Sequence, residues 1–178
     1  MSVFWSKGYA ATSTDDLLEA MKIGRQSMYD TFGDKRRLYV EALERYQLKS
    51  VAGHIKRLRS TASPLAGIEA LVTGVIASDS ATRKMGCMGV GAISEFGSAD
   101  SQLCALRDKS GGMLHHALIE RLRDAQAAGE IGKIVDIERA AQFVQTMMLG
   151  LQVAARAGES ARTLRDMAVF AIGRLRGW

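Results

Sequence analysis

Apolar residues recur along this chain every three or four positions, in runs separated by turn and capping residues. This spacing places the apolar side chains on one face of an α-helix. Scarce β-branched runs and a single proline favour the same structural class. The pattern predicts an all-α fold, with helices over residues 34–59, 64–77, 87–96, 101–128, 137–157 and 160–175 after shorter N-terminal segments.

Residues 13–38 predict two short helices joined by a tight turn and followed by the start of a third helix. Ser13 is a good N-cap for the first, with Asp16 in the position of a capping box. The apolar pattern then breaks at a turn that contains Gly24, and the second helix covers residues 25–32. Two short helices across such a turn are typical of a helix-turn-helix, whose second helix can lie in a DNA major groove.

The start of the third helix carries an unusual concentration of positive charge. Asp34 is predicted to cap it, yet Lys35, Arg36 and Arg37 fill its first turn. Cations at a helix N-terminus oppose the helix dipole, at about 0.3–1 kcal/mol each. A bound phosphate would reverse the sign, because helix N-termini and basic side chains both attract anions. The alternative is three solvated charges; their position favours phosphate contact.

The spacing of several residues supports a more specific interpretation. They are Gly8-Tyr9, Thr12-Ser13, Ser27-Met28-Tyr29, Phe32, Lys35 and Leu38. With these residues at this spacing, which is kept without a gap over about 40 residues, the segment resembles the DNA-binding domain of the TetR family of bacterial repressors. The resemblance implies that Tyr29 and Lys35 contact DNA phosphates, while residues 25–27 approach base edges. The complete set of candidate DNA-contact residues is Ser13, Thr14, Arg25, Gln26, Ser27, Tyr29, Asp30, Thr31, Lys35 and Arg36.

Three features depart from the commonest form of that family. Lys22 stands where the turn usually has glycine, and Gly24 stands where the second helix usually has a serine or threonine cap. The apolar helix before the motif is represented only by residues 3–5, ended by Gly8, so we expect its earlier turns to be missing. This leaves an alternative open, namely a helical dimeric module that binds a small molecule or protein without binding DNA.

The net charge of +5 is unevenly distributed. Residues 1–59 hold 11 Lys and Arg against 7 Asp and Glu, whereas residues 60–178 hold 13 against 12. The basic excess therefore coincides with the helix-turn-helix, as expected for a nucleic-acid footprint. No signal peptide or membrane-spanning run is predicted, so a reducing cytoplasm is the expected location.

The resemblance divides the chain into a DNA-binding domain, residues 1–46, and a helical ligand-binding and dimerisation domain, residues 47–178. Wide apolar stripes mark the last two predicted helices: Ala141, Val144, Met148, Leu151, Ala155, Leu164, Met167, Ala168, Ala171 and Leu175. From the residues alone, an ordinary core face explains these stripes equally well. The resemblance implies that the two helices form a homodimer interface.

The resemblance also implies a small-molecule effector pocket between the middle helices. Methionine adapts to varied apolar ligands, although plain core packing is the alternative for each one. The candidate ligand-binding residues are Met88, Met113, His116, Phe143 and Met147.

No cofactor, metal site or catalytic constellation is predicted, and the chain is not expected to be an enzyme. Cys87 is expected to be a buried structural cysteine; the alternative is a redox-sensing thiolate, since Arg83 and Lys84 precede it. The expected function is that of a ligand-responsive transcriptional repressor. It would bind a palindromic operator as a homodimer and be released by a small-molecule effector.

Overall fold

The structure is a computed structural model that describes residues 1–176, and this part of the chain forms ten α-helices and no β-strand. In chain order the helices are α1 (Ser2–Lys7), α2 (Thr14–Met21), α3 (Arg25–Phe32), α4 (Lys35–Leu58), α5 (Pro64–Thr73), α6 (Ser80–Met85), α7 (Met88–Phe96), α8 (Ser101–Ala127), α9 (Ile137–Arg156) and α10 (Ala161–Arg176). None of these helices is long and apolar enough to cross a membrane. The predicted all-α class is confirmed.

Capping side chains fix the helix starts as the sequence predicts. Ser13 Oγ accepts a hydrogen bond from the backbone N–H of Asp16, whose carboxylate accepts one from the N–H of Ser13. Asp34, Ser63 and Asp100 accept the corresponding bonds at α4, α5 and α8. Each such cap contributes about 1 kcal/mol to helix stability. The predicted bounds of α4, α8, α9 and α10 agree with the structure within one or two residues.

The segment between α5 and α7 differs from the prediction in two respects. Helix α5 ends at Thr73, earlier than the predicted end near Ala77. Helix α6 lies between the helices predicted over residues 64–77 and 87–96, where the pattern predicts no helix, and Asp79 caps its start by accepting from the N–H of Thr82. A helix of six residues without a buried side chain gives no apolar periodicity to detect.

The buried residues form two clusters that do not follow the predicted domain boundary. The first cluster joins the helix-turn-helix to α4, but it also contains Met88 and Ala92 from α7 and Leu103 from α8. The second cluster lies among α5, α8, α9 and α10. Since α4 runs through the boundary at residue 46 without interruption, the division of the chain there stays a prediction.

Met167, a member of the apolar stripe predicted for the last two helices, is exposed, and so are Leu48 and Met113. Leu48 follows the buried Leu43 by five positions, which turns it about 140° away around the helix. Glu41, on the exposed side of α4, pairs with Arg37 on the preceding turn, at 3.4 Å.

The apolar stripes predicted for the last two helices pack mainly inside the chain's own second cluster. Other apolar side chains on these helices are exposed, together with Met167 of the predicted stripe: Leu149, Val153, Val169 and Phe170. The alternative of an ordinary core face therefore describes most of the predicted stripe. A second apolar face on α9 and α10 is left without a partner in the described residues.

Candidate nucleic-acid interface and adjoining cavities

Helix α3 presents a polar surface because two of its side chains, one turn apart, make its apolar contacts. Met28 is buried in the first cluster, and Phe32 packs against that cluster from the next turn. The other predicted contact residues on this helix are exposed: Arg25, Gln26, Ser27, Tyr29, Asp30 and Thr31. Tyr29 keeps 42% of its surface exposed, which is high for a large aromatic side chain.

Two of these side chains already hold polar partners within the motif. The guanidinium of Arg25 lies 2.6 Å from the carboxylate of Asp15, and Gln26 Nε2 donates to Asp30 Oδ1 at 2.8 Å. Both pairs are exposed, so each stabilises the fold by less than about 1 kcal/mol. The pairs orient Arg25 and Gln26 and cost little free energy to break.

The turn between α2 and α3 is strained at Lys22. Its φ of 55° makes it the one non-glycine residue with positive φ in the described range. The backbone N–H of Lys22 donates to the carbonyls of Leu18 and Glu19, which closes α2. A left-handed conformation costs a side-chain-bearing residue about 1–2 kcal/mol, and glycine avoids this cost.

The substitution Lys22→Gly is therefore expected to raise the free energy of unfolding by about 0.5–1 kcal/mol, since relief of strain exceeds the added entropy of the unfolded chain. Urea denaturation measures this change. Lys22→Ala removes the same charge while retaining a Cβ, and should give no such gain. Equal stabilisation by both substitutions would mean that charge, and not backbone strain, is responsible.

The basic triplet at the start of α4 divides into three different environments. Lys35 Nζ lies 4.3 Å from the centre of the Tyr9 ring. Arg37 pairs with Glu41 and is exposed. Arg36 turns to the other half of the chain, where its guanidinium lies 2.5 Å from the carboxylate of Asp100 and leaves Nη1 buried without a partner. Phosphate contact by Lys35 and by Arg36 stays a prediction.

The remaining predicted contact residues lie at the start of α2. Ser13 is exposed, but its hydroxyl is engaged in the capping box. Thr14 begins the helix and is half-buried.

Helix α1 is short, yet it connects the motif to both halves of the molecule. Phe4 is buried and meets Tyr39 of α4 edge-on, with ring centres 5.1 Å apart. Trp5 Nε1 donates to the carbonyl of Gly86 at 2.9 Å. The predicted end of this helix at Gly8 is confirmed by a φ of 81° at that residue.

Two adjoining cavities open beside α4 in the C-terminal half. The first has a volume of about 210 Å³ and the second a volume of about 470 Å³. Their common wall consists of Tyr46, Ser50, His54, Val75 and Gln152. The rest of the first cavity's lining combines polar residues such as Gln47 and Ser110 with six apolar side chains: Val51, Val90, Ile93, Leu114, Met148 and Leu149.

None of the five predicted ligand residues lines either cavity. Met88 is buried in the first cluster, and Met113 is exposed. His116 is exposed and forms a hydrogen bond with the carbonyl of Gly112 at 2.8 Å. Phe143 and Met147 pack against the second cluster. Ser50 and His54, polar residues four positions apart on one side of α4, line both cavities, and their spacing could have indicated these cavities from the sequence.

His54 stands between the two cavities as a neutral imidazole. Arg57 donates to His54 Nδ1 at 3.2 Å, so Nε2 carries the hydrogen and donates to Ser50 Oγ at 3.1 Å. Burial, together with the neighbouring Arg57, lowers the pKa of His54 to about 4. Protonating this side chain in the folded protein is therefore unfavourable at neutral pH.

Because the unfolded chain binds this proton more readily, stability is present in full above the ordinary histidine pKa and declines as the pH falls towards the folded value. The expected loss between pH 7 and pH 5 is on the order of 1–2 kcal/mol. His54→Gln should abolish this component. Urea unfolding at both pH values measures the difference between the two proteins. Glu138 raises the pKa of His115, an opposite effect that both proteins share. Parallel pH curves would contradict the assignment.

Cys87 is half-buried at the N-cap of α7 and lines the first cavity. Burial, and then the adjacent Cys87, raise the pKa of Tyr46 above its usual range, so the phenol is a neutral hydrogen-bonding group. Whether the thiol is structural or redox-active stays a prediction. Among the described residues, no group of three or more His, Cys, Asp or Glu side chains could hold a metal ion.

Comparison with known proteins places this geometry in a family. The sequence profile described as "Bacterial regulatory proteins, tetR family" matches residues 1–42. The HTH-type transcriptional regulator YezE of Bacillus subtilis (strain 168) is 30% identical over 168 residues, which cover 93% of this chain and 87% of the relative. The HTH-type transcriptional repressor ComR of Escherichia coli (strain K12) is 28% identical over 172 residues, covering 94% and 81% respectively.

Solved structures agree in fold. A cysteine mutant of the TetR-family regulator CifR, complexed with 26-base-pair double-strand operator DNA, has a TM-score of 0.81 and 27% identity, covering 97% of this chain and 91% of its own. The reduced form of E. coli NemR has a TM-score of 0.82 at 18% identity and covers 98% and 91%, which shows a shared fold alone. With the helix-turn-helix, the all-helical C-terminal half and a relative aligned over most of both chains, this chain belongs to the TetR family of bacterial transcriptional regulators, which are not enzymes.

Proposed function

We propose that this regulator is a ligand-responsive repressor that binds a pseudo-palindromic operator as a homodimer and is released by a small molecule. The observation that carries the proposal is the exposed polar face of α3 beside Lys35 at the start of α4. The operator-bound CifR mutant and the repressor ComR are relatives of matching length. Binding to bacterial DNA places the proposed activity in the cytoplasm.

In the proposed complex α3 lies in the major groove, with Arg25, Gln26 and Ser27 at the base edges. Arginine and glutamine side chains read guanine and adenine through paired hydrogen bonds. Tyr29 and Lys35 flank this row and contact phosphates, which fixes the helix at its angle in the groove. The buried Met28 holds that angle from the opposite face of α3.

The second copy is proposed to cover the outward apolar face of α9 and α10. Phe170, 68% exposed, projects from α10, while Leu149 and Val153 lie one turn apart on α9. Exposed apolar side chains grouped on adjacent helices indicate an interaction surface. Two such helices from each subunit give a four-helix interface with two-fold symmetry, which matches a palindromic DNA site.

Helix α7 is the proposed link between effector and DNA. Gly89, Val90 and Ile93 line the first cavity, while the carboxylate of Glu95 on the same helix accepts from the backbone N–H of Tyr9 at 2.8 Å. Tyr9 in turn lies under Lys35. A ligand that displaces α7 would therefore shift the end of α1 and the phosphate-binding end of α4.

The Arg36–Asp100 ion pair and the Trp5–Gly86 hydrogen bond strengthen this connection between the two halves. An effector releases DNA to the extent that it binds the displaced arrangement better than the DNA-binding one. A hundredfold difference in affinity would shift the equilibrium by about 2.7 kcal/mol.

Selection of bound DNA from a random double-stranded pool tests the proposal. We expect enrichment of sequences with two inverted half-sites whose centres are separated by about one helical turn. A homodimer that enriches no sequence would refute it. That result would favour the alternative, a helical binding module that does not contact DNA.

A further inference from the structure

We infer that the effector is an organic anion with an apolar body, whose body occupies the first cavity and whose carboxylate occupies the second. This inference rests on the proposed effector role of these cavities and adds the chemical class of the ligand. The first cavity has the more apolar lining, and the second has three basic side chains in its lining. Because the two cavities share a wall, one elongated ligand could extend from the first into the second.

The second cavity is lined by three basic side chains. Lys49 and Arg57 come from α4, and Arg83 comes from α6. Among the described residues that line either cavity there is no aspartate or glutamate. A cavity lined by charges of one sign attracts ligands of the opposite sign and repels those of the same sign.

Most of this positive charge is uncompensated within the described part of the chain. Lys49 and Arg57 form no ion pair there, and the hydrogen-bond partner of Arg57 is the neutral imidazole of His54. Arg83 donates to the backbone carbonyls of Ala77 and Ser78. Hydrogen bonds from Thr82, and to a smaller extent the charge of Arg83, lower the pKa of the neighbouring Asp79. Lys49 and Arg57 are therefore the two basic side chains available to an anionic ligand.

The first cavity has the opposite character. Its basic residue, Arg107, pairs with the adjacent carboxylate of Asp108 at 3.1 Å. The amides of Gln145 and Gln152 donate to the carbonyls of Gly111 and Val75. The volume of about 210 Å³ exceeds the roughly 150 Å³ cavity known to hold benzene. This space therefore fits an aromatic ring or a short alkyl chain.

Two matched sets of probes test the charge preference. The first consists of 4-phenylbutyrate, 4-phenylbutanol and 4-phenylbutylamine, and the second of octanoate, octanol and octylamine. Binding to the full chain without DNA is measured by calorimetry, with Trp5 fluorescence as a second signal because Trp5 lines the second cavity. We expect the carboxylate of at least one skeleton to bind about tenfold tighter than its alcohol, and the amine to bind most weakly. Equal or tighter binding of alcohols or amines, or no carboxylate binding at millimolar concentration, would overturn the inference.

Variants locate the anionic end. The double substitution Lys49→Gln and Arg57→Gln should reduce carboxylate affinity to that of the alcohol and leave alcohol affinity unchanged. Lys56→Gln is the matched control, because Lys56 is exposed on the same helix and lines neither cavity. Carboxylate affinity that survives the double substitution would place the anion elsewhere and overturn the inference.

The same probes separate this inference from the proposed function. Carboxylates that bind in the expected order without changing DNA retention would support the ligand class and refute the ligand-responsive mechanism. DNA release by the alcohols or amines, but not by the carboxylates, would support a ligand-responsive regulator and overturn the ligand class.

Discussion

Replacing Lys35 by Gln is expected to weaken operator binding at every sequence, by about tenfold or more, and to flatten its dependence on salt. The ammonium group of Lys35 lies over the Tyr9 ring in the first turn of α4, and in the proposed complex it contacts a phosphate and no base. Each phosphate contact that is lost reduces the salt slope by about 0.9, hence by about two for a dimer. Anisotropy titrations at several salt concentrations measure both effects.

Lys133 provides the matched control for this experiment. It is an exposed lysine in the connection between α8 and α9, far along the chain from the motif, and Lys133→Gln removes the same charge. Tyr29→Phe should also lower affinity, but it should leave the salt slope unchanged because a neutral hydroxyl releases no counterion. Gln26→Ala should instead change which base is preferred, by about 1–3 kcal/mol at one position of each half-site. A uniform loss for all substitutions, Lys133→Gln included, would contradict these roles.

Replacing Phe170 by Glu is expected to dissociate the homodimer and to reduce operator affinity by two or more orders of magnitude. In a two-fold interface each substitution occurs twice, so two carboxylates would be buried against apolar partners at several kcal/mol in total. The monomer should remain folded, because Phe170 is largely exposed and a glutamate there lies one turn from Arg174. Analytical ultracentrifugation measures the dissociation.

Ile134→Glu is the control for the dimer prediction. Ile134 is 90% exposed, but it lies in the connection before α9 and outside the proposed interface. It should leave both the dimer and DNA binding unchanged. A Phe170→Glu protein that remains dimeric would show that another surface joins the subunits.

The elements that depend on local chemistry could be predicted from the sequence. The capping box of Ser13 and Asp16, and the caps Asp34 and Asp100, act through residues three positions away. The inward position of Met28 follows from helical spacing alone. These local rules were enough to define the helix-turn-helix and the long helices.

The features that depend on contacts between distant parts of the chain could not be predicted from the sequence. Arg36 faces Asp100, which is 64 positions away, and no spacing rule relates the two. The first cavity lies beside α4, and Ser50 and His54 line it because α8 and α9 do not fill the space next to that helix. Buried and exposed apolar residues are interleaved along α9 and α10, so the sequence did not separate the core face from the proposed interface.

The affinity of this regulator for its selected operator, compared with a scrambled duplex of the same length and composition, tests the central proposal most directly. For a sequence-reading homodimer we expect the operator to bind at least about a thousandfold tighter near physiological salt. We expect log affinity to fall linearly with log salt, and the stoichiometry to be one dimer per operator. Equal affinity for the two duplexes, or retention of neither, would contradict the proposal that α3 reads DNA.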